Sequence, residues 1–324
     1  MLAMAVVQTN PCRGLDRFGR SIKPNVPSPV ETPVLASSHH FLSLNGMHMK
    51  PTLLAFSLAA VFGSTLASAA PPAPASNVSH EQFATVLKGD WRVRQNAARD
   101  QYRHPEQTLQ FFGLRTNQTV IEITPGNGWY SELLAPLLKD KGHYVAAIVD
   151  PSVSDYAKKS ADNLKQKYAA DAAHYGKVAI VEYQPKAPVF GKAGSADTVL
   201  TFRNAHNWVD AGNEAATFKA FYDVLKPGGT LGVVDHRAKP GTTAKDNEQN
   251  GYLPTDYVVK LAQAAGFTLA GESEVNANSK DTKDYPDGVW TLPPALVKGE
   301  PDKEKYLAIG ESDRMTLRFI KPEK

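Results

Sequence analysis

Short apolar runs and longer amphipathic segments alternate along residues 119–320. The residues from Thr119 to Ile123 are mostly β-branched and apolar, which is typical of a buried strand. The following segment has apolar residues at helical spacing: Tyr130, Leu133, Leu134, Leu137 and Leu138. Further strands are predicted at 144–149, 178–181, 198–201, 230–234, 267–275 and 315–320. Because helical segments separate most of these strands, the pattern predicts an α/β, Rossmann-like doubly wound fold with a mostly parallel sheet.

Three short helices are predicted before the first strand. Ser79 followed by Gln82 forms a capping box that opens the first helix. Asp90 is a candidate N-cap for the second, and Pro105 and Gly113 bracket the third. These segments predict an N-terminal helical lead that precedes the sheet.

The segment from Met49 to Ala70 has the three-part pattern of a secretory signal peptide. Lys50 provides a positive start, residues 53–66 are mostly apolar, and Ala67-Ser68-Ala69 is a small-residue cleavage site. A buried helix or a membrane anchor is the alternative. The pattern favours export, in a bacterium to the periplasm, with no membrane span left after cleavage.

This reading divides the chain into four parts. We expect a non-native or disordered upstream segment at 1–46, a signal peptide at 47–69, a linker at 70–78 and one α/β domain at 79–324. An organelle transit segment is the alternative for 1–46.

The charge of the chain comes from its first part. Five basic and two acidic side chains lie in residues 1–69, and this difference equals the net charge of +3 of the whole chain. The remainder is neutral, so we expect no nucleic-acid partner. Cys12, the only cysteine, also lies upstream.

The strongest chemical pattern is the run from Glu122 through Gly126 and Gly128. A glycine bend between a strand and a helix lets a ligand approach the backbone, and Asp150 follows the next strand, where a carboxylate can accept ribose hydroxyls. The two features together predict a nucleoside cofactor. A dinucleotide site needs a third glycine where this chain has Ser131, which disfavours NAD.

At this point the sequence resembles class I S-adenosylmethionine-dependent methyltransferases, whose first motif is acid-x-Gly-x-Gly-x-Gly. Glu122, Gly126 and Gly128 match this motif, and Thr124 stands at the first glycine. The Lys226-Pro-Gly-Gly turn before the fifth strand is also similar. The resemblance implies a seven-stranded sheet whose last strand is antiparallel, and S-adenosylmethionine as cofactor.

A narrower resemblance covers roughly residues 80–322 and is to predicted exported bacterial methyltransferases of undefined substrate. It rests on five motifs: Arg99-Asp-x-Tyr-Arg103-x-Pro105, Pro125-Gly-Asn-Gly-Trp-Tyr130, Arg203-Asn-Ala-His206-Asn-Trp208, Asp235-His-Arg237 and the closing Asp313-Arg314. By position, Glu122, Gly126 and Gly128 would hold the methionine part, and Asp150 the ribose. Glu182 or Gln184 would reach the adenine, and Arg203 and Asn204 would line the site.

Two histidines are candidates for a general base. His206 follows the fourth strand and His236 the fifth, at the sheet edge where ligands of open α/β sheets bind. We expect His206 to be the base before His236, with Asp235 and Arg237 orienting it or binding substrate. Alternatively, Asp235 and His236 form a helix cap or an ion pair. A metal site of His206, Asp235 and His236 lacks a supporting spacing, so no metal is expected.

Three functions remain open. The first is methyl transfer from S-adenosylmethionine to a small or lipid-like molecule. The second is an exported binding module of the same fold without catalysis, and the third, disfavoured by Ser131, is an NAD-dependent oxidoreductase. Arg99 and Arg103 fit either a solvated helix face or a lid, and 276–304 is expected to be a long loop near the cleft.

Overall fold

A computed structural model describes residues 77–297 and 302–323 of the chain. The predicted upstream segment and signal peptide, and most of the predicted linker, lie outside these residues. Within the described ranges, the helices are all too short or too polar to span a bilayer.

A seven-stranded sheet forms the centre of the described chain. Its strands are β1 (Thr119–Ile123), β2 (His143–Val149), β3 (Ala179–Tyr183), β4 (Ala196–Phe202), β5 (Leu225–His236), β6 (Thr268–Ser273) and β7 (Arg314–Ile320). Their order is β3-β2-β1-β4-β5-β7-β6, and β7 is antiparallel to both of its neighbours. The predicted Rossmann-like sheet with an antiparallel last strand is therefore confirmed.

The helices cover the two faces of this sheet. They are α1 (His80–Leu87), α2 (Arg94–Ala97), α3 (Asp100–Arg103), α4 (Pro105–Phe111), α5 (Ser131–Leu138), α6 (Asp155–Ala170), α7 (Ala172–Tyr175), α8 (Ala205–Ala211), α9 (Glu214–Val224), α10 (Thr255–Ala264) and α11 (Lys303–Ile309). Val120 belongs to the core with α1, α4, α5 and α6, and its neighbour Ile121 to the core with α8, α9 and α10. Alternate residues of one strand thus bury into opposite layers.

The helical lead follows the prediction at its two ends and departs from it in the middle. The capping box of Ser79 and Gln82 is present, and α4 begins at Pro105. The helix predicted after Asp90 is instead two four-residue helices, α2 and α3, and the residue before α2 is Val93. Tertiary contacts override the local pattern here.

The proline inside α5 gives the lead an attachment point. Pro136 has no amide to donate to the carbonyl of Glu132, four residues earlier. The indole of Trp91 donates to that carbonyl over 2.9 Å. A hydrogen bond that the helix cannot make for itself therefore binds the lead to α5.

Two other segments differ from the prediction. The turn expected at 226–229 lies within β5, whose pairing with β4 skips from Leu225 to Thr230. Gly228 has a left-handed φ of 74°, and its amide donates to the carbonyl of Lys321, the residue after β7. The expected turn is therefore an irregularity within the strand. The loop expected at 276–304 contains a 3₁₀ turn at Gly288–Thr291, and α11 already begins at Lys303.

Candidate cofactor and active site

The bend after β1 has three left-handed residues at alternate positions. Thr124, Gly126 and Gly128 have φ of 51°, 58° and 75°. A β-branched residue reaches this region only at a cost of about 1–2 kcal/mol. Thr124 is held there by its amide, which donates to Ala147 over 2.8 Å, and by its hydroxyl, 2.7 Å from the Tyr183 hydroxyl. The threonine therefore takes the conformation that a glycine would take in the motif.

The two glycines of the bend differ in their surroundings. A Cβ on Gly126 would have no atom within 4 Å, so space for a ligand remains beside it. A Cβ on Gly128 would lie 3.1 Å from Leu164 and Ser131, so this glycine permits close packing of the bend on α6 and α5. The open side of the bend is at Gly126.

Asp150 lies at the tip of β2, next to the bend. Strands β1 and β2 are parallel and pair Ile123 with Ala147, so their ends meet at the same edge. One carboxylate oxygen of Asp150 accepts from the Ser152 amide at 2.7 Å and the other from the Gln184 amide at 2.8 Å. These hydrogen bonds lower the pKa of Asp150, so it is charged at neutral pH.

Glu122 lies under the bend, 2% exposed. It accepts a 2.5 Å hydrogen bond from the Tyr144 hydroxyl, and burial raises its pKa to about 7. Ser131, at the position of the third glycine of a dinucleotide motif, is buried and bonds the hydroxyls of Tyr144 and Tyr168 at 2.8 Å each. A buried hydroxyl network therefore occupies the position where an NAD site has a glycine.

Glu182 and Gln184 were the two residues expected near the adenine, and of these Gln184 is hydrogen-bonded to Asp150. Glu182 lies within β3, exposed, and its carboxylate pairs with Lys165 of α6 at 2.7 Å. Its side chain is engaged with this helix, whereas Gln184 lies beyond the end of the strand.

Arg203 and Asn204 follow β4 and behave differently. The Asn204 amide donates to the carbonyl of Ile123 at 3.0 Å and to the Thr201 hydroxyl at 3.2 Å, which joins the tips of β1 and β4. Arg203 has a left-handed φ of 62°, and its amide donates to Val234 over 2.7 Å. A non-glycine residue in this region often marks a functional constraint.

His206 and Asp235 form a buried pair. His206 lies in the first turn of α8 and Asp235 near the end of β5, and the two are 5% and 0% exposed. The carboxylate of Asp235 is 2.9 Å from Nδ1 of His206, and it also accepts from the amides of Ala205 and His206. A carboxylate at Nδ1 favours the tautomer with the lone pair on Nε2, which makes Nε2 the proton acceptor.

His236 lies beside this pair. The two imidazole rings are 5.2 Å apart, and Nδ1 of His236 is 2.5 Å from the Ser312 hydroxyl. Burial, and then the charges of His206 and Arg203, hold the pKa of His236 well below its ordinary value. Trp290, from the segment expected to lie near the cleft, has its ring 6.1 Å from that of His206.

The arrangement fits an Asp–His pair better than a metal site. His206, Asp235 and His236 do offer ligand atoms within 4.8 Å of one another. However, the two oxygens of Asp235 already accept four N–H groups, from the His206 ring and from the amides of Ala205, His206 and His236. Little of the carboxylate is left for a cation.

Arg237 points to other partners. Its guanidinium bonds both oxygens of Glu274 at 2.7 Å, and Asp313 at 2.8 and 3.0 Å. The pKa of Arg237 is raised by these two carboxylates. The guanidinium of Arg237 therefore belongs to an ion-pair network with Glu274 and Asp313 and makes no hydrogen bond to His206 among the described residues.

The sequence missed Glu311 as a functional candidate. Glu311 is 3% exposed and contacts three arginines: Arg99 at 2.6 Å, Arg314 at 3.1 Å and Arg103 at 3.4 Å. Arg103 is also 3% exposed, so the solvated-face reading is wrong for it. The spacing of Arg99 and Arg103, one helical turn apart, was the available signal.

The known proteins that resemble this chain are solved structures of low sequence identity. No protein-family model matches the chain, and no curated protein matches its sequence. Solved structures do match, among them a SAM-dependent methyltransferase from Aquifex aeolicus, at 15% identity over 69% of this chain and 93% of that one, with a TM-score of 0.47. The [4+2]-cyclase SpnF matches at 15% identity over 73% and 86%, with a TM-score of 0.49. YcgJ from Bacillus subtilis matches at 14% over 68% and 99%, with a TM-score of 0.44.

At these identities the likeness concerns the fold alone. The β3-β2-β1-β4-β5-β7-β6 order with an antiparallel β7 is a Rossmann-like sheet of the kind that the sequence resemblance implied. Sequence identity of about 15% says nothing about a substrate, so function must be argued from the site.

Proposed function

We propose that this protein transfers a methyl group from S-adenosylmethionine to a small molecule whose nucleophilic atom carries a proton. One observation carries the proposal: the glycine bend of β1 and the charged Asp150 of β2 occupy neighbouring strand tips. The His206–Asp235 pair follows β4 and β5, which continue the same parallel part of the sheet. Ligands of open α/β sheets bind along this edge.

The residues at the two tips fit an adenosyl cofactor. The open space beside Gly126 leaves room for a ligand against the backbone. Asp150 is charged and accepts one hydrogen bond on each oxygen, which leaves lone pairs for two ribose hydroxyls. Gln184, bonded to Asp150, is placed to contact the base. When bound, S-adenosylmethionine supplies an electrophilic methyl group.

His206 is the residue that would accept the proton of the nucleophile. Asp235 fixes the ring through Nδ1 and would stabilise the imidazolium that forms at Nε2. His206 is 5% exposed, and the rings of His236 and Trp290 lie 5.2 and 6.1 Å from its own ring, so little water reaches it. Exclusion of water protects the methyl group from hydrolysis.

Cofactor binding is tested by calorimetry of the full chain with S-adenosylmethionine and with its demethylated product. We expect micromolar binding of both. Asp150→Ala removes two hydrogen bonds to a charged acceptor and should weaken binding by about 3 kcal/mol, or roughly 100-fold. Asp162→Ala, which removes an exposed carboxylate paired with Lys158, is the matched control and should leave affinity unchanged. No heat with either compound would contradict the proposal.

The role of His206 is tested by turnover. The wild-type chain, supplied with S-adenosylmethionine and a low-molecular-mass extract, should release the demethylated cofactor. His206→Ala should lower this rate by about 10²–10⁴-fold while cofactor affinity stays the same. Loss of both together would show that His206 is structural.

A binding module without catalysis is the second candidate. The observation that favours it is Thr124, whose hydroxyl is bonded to Tyr183 inside the motif that normally has glycine. Binding of the demethylated cofactor with no release of product from any acceptor fraction would favour this candidate.

Export from the cytosol is part of the proposed function, supported by the sequence pattern of Met49–Ala70. Mass spectrometry of the native protein should find an N-terminus near residue 70. Peptides from residues 1–46 in the native protein would contradict the expectation that this segment is not native.

A further inference from the structure

Four arginines from three parts of the chain meet around one carboxylate. Arg99 and Arg103 belong to the helical lead, Arg203 follows β4 and Arg314 begins β7. We call these four residues the arginine cluster. Glu311 lies between them, and its two oxygens are bonded to Arg99, Arg103 and Arg314. All four arginines lower the pKa of Glu311, which places Arg203 within the same electrostatic environment.

The positive charge of the cluster exceeds the negative charge beside it. Glu311 supplies one negative charge against four positive ones. Two further carboxyls, Glu122 and Asp235, act on the cluster, but Glu122 has a pKa of about 7, so the four arginines still exceed the charge of the three carboxyls. Burial and mutual repulsion lower the pKa of Arg103 to about 9. Unbalanced buried charge is costly, so a neutralising partner is expected.

The cluster also has hydrogen-bond donors without acceptors. One terminal nitrogen of Arg99 and one of Arg103 (Nη2 in each) are buried and bond to nothing in the described part of the chain. Arg103 lies over the Trp129 ring at 4.6 Å and donates from Nε to Glu311, and neither contact supplies a hydrogen-bond acceptor to its Nη2. Most buried donors in folded proteins have an acceptor, and a bound anion would supply one to these two nitrogens.

Arg203 is the member of the cluster open to a ligand. Its guanidinium is partly exposed and makes no hydrogen bond or ion pair with the residues that the structure describes. Its backbone has a left-handed φ of 62°, a conformation that arginine does not prefer, so the surrounding fold holds the residue in this position. An arginine held in place without a protein partner is typical of anion recognition.

The cluster adjoins the proposed base. Arg314 pairs with His236 across β5 and β7, and Arg203 is three residues before His206. Arg203, Arg314 and Arg103 all contribute to the low pKa of His236. An anion bound by Arg203 would therefore lie next to the His206–His236 pair.

We propose that the arginine cluster binds a carboxylate or phosphate group of the methyl acceptor, so that the substrate is a small anion. That the bound anion is the methyl acceptor rests on the proposed function, whereas the existence of an anion site rests on the arginines alone. Bidentate N–H groups of Arg203 and the free Nη2 groups of Arg99 and Arg103 hold the anion. Its nucleophilic atom then faces His206.

The test is calorimetry of the full chain with inorganic phosphate and with malonate, alone and in the presence of saturating demethylated cofactor. We expect one of the two anions to bind, and Arg203→Gln to weaken it at least tenfold. The control is Arg94→Gln, which changes an exposed arginine of the same helical lead and should alter affinity less than twofold. The two anions distinguish a phosphate from a carboxylate group.

Arg203→Gln should fold, because its side chain has no protein partner to lose. Its melting temperature without anion should equal or exceed that of the wild type, and phosphate or malonate should raise only the wild-type value. Arg203→Lys, which keeps the charge and loses the fork, should give intermediate affinity.

Three results would overturn the proposal: no binding of either anion by the wild type, equal binding by Arg203→Gln, or displacement of the anion by the demethylated cofactor. The last result would assign the arginines to the cofactor's own carboxylate. If the demethylated cofactor fails to bind while anion binding still depends on Arg203, the proposed methyl transfer falls and the anion site stands.

Discussion

Two regions of the molecule bury a glutamate, and the two glutamates have opposite acidities. Glu122, under the glycine bend, is 2% exposed, and Glu311, in the arginine cluster, is 3% exposed. Burial raises the pKa of each. It brings the pKa of Glu122 to about 7, but the four arginines reverse the effect at Glu311 and lower its pKa to about 2. The state of a buried carboxyl therefore depends on whether the charges around it outweigh the effect of its burial.

The difference in charge between the two regions also makes them suit different ligands. Close to the bend, Glu122 is bonded to a tyrosine hydroxyl and carries a full charge only above about pH 7. Around Glu311, four arginines act on one carboxylate. The bend region therefore suits the largely uncharged surface of a nucleoside, and the arginine cluster suits an anion.

The largest predicted effect removes the carboxylate of the arginine cluster. Glu311→Gln leaves the buried Arg103 and Arg314, and the partly exposed Arg99 and Arg203, without this counter-charge and should lower the free energy of unfolding by about 3–5 kcal/mol. Denaturant titration at pH 7 measures the loss. Glu272→Gln, an exposed glutamate on β6, is the control and should change stability by less than about 0.5 kcal/mol.

The stability of Glu311→Gln relative to the wild type should also depend on pH in the acidic range. A carboxyl whose pKa is lowered from 4.5 to about 2 on folding stabilises the protein above pH 4.5, and this contribution disappears as the pH falls toward 2. The wild type should therefore lose its advantage over Glu311→Gln between pH 4.5 and 2. An advantage that is constant over this range would mean that Glu311 acts by shape and not by charge.

The second prediction concerns Glu122 and has the opposite sign. A carboxyl whose pKa is raised from 4.5 to about 7 binds more protons in the folded state, so its contribution to stability falls as the pH rises from 4.5 through 7. Glu122→Gln is neutral at every pH. It should match the wild type near pH 4.5 and exceed its free energy of unfolding by up to about 3 kcal/mol at pH 8.

Denaturant titrations at pH 5 and pH 8 check this expectation. Glu81→Gln, an exposed glutamate on α1, should show the pH dependence of the wild type. If Glu122→Gln is less stable than the wild type at pH 8, then Arg103 and Lys167 stabilise the charged form more than burial disfavours it, and the contrast between the two regions disappears.

The contrast also shows what the sequence can predict. The bend region is local: Glu122 and Tyr144 are 22 residues apart, and strand, bend, helix and Asp150 follow one another in the chain. Periodicity and a short motif therefore predicted the sheet, the position of the bend and the strand tip of Asp150. The left-handed conformation of Thr124 could not be read, because only the fold imposes it.

The arginine cluster is assembled from distant residues. Arg99 and Glu311 are separated by 212 positions, and Arg314 is adjacent to His236 only because β7 is inserted between β5 and β6. No local pattern distinguishes a buried arginine from one on a solvated helix face. For the same reason the chain order placed Arg237 next to His236 without indicating that Glu274 and Asp313 bind it.

The smallest predicted effect tests how the helical lead, which carries Arg99 and Arg103, is held over the bend region. Trp91→Phe removes the indole donor from the Glu132 carbonyl and should lower the free energy of unfolding by about 1 kcal/mol. Pro136→Ala supplies a helical amide to the same carbonyl. In that background Trp91→Phe should lower stability by less, since the carbonyl keeps a donor. An equal loss in both backgrounds would mean that Trp91 stabilises the lead by packing alone, and that Pro136 has no part in its attachment.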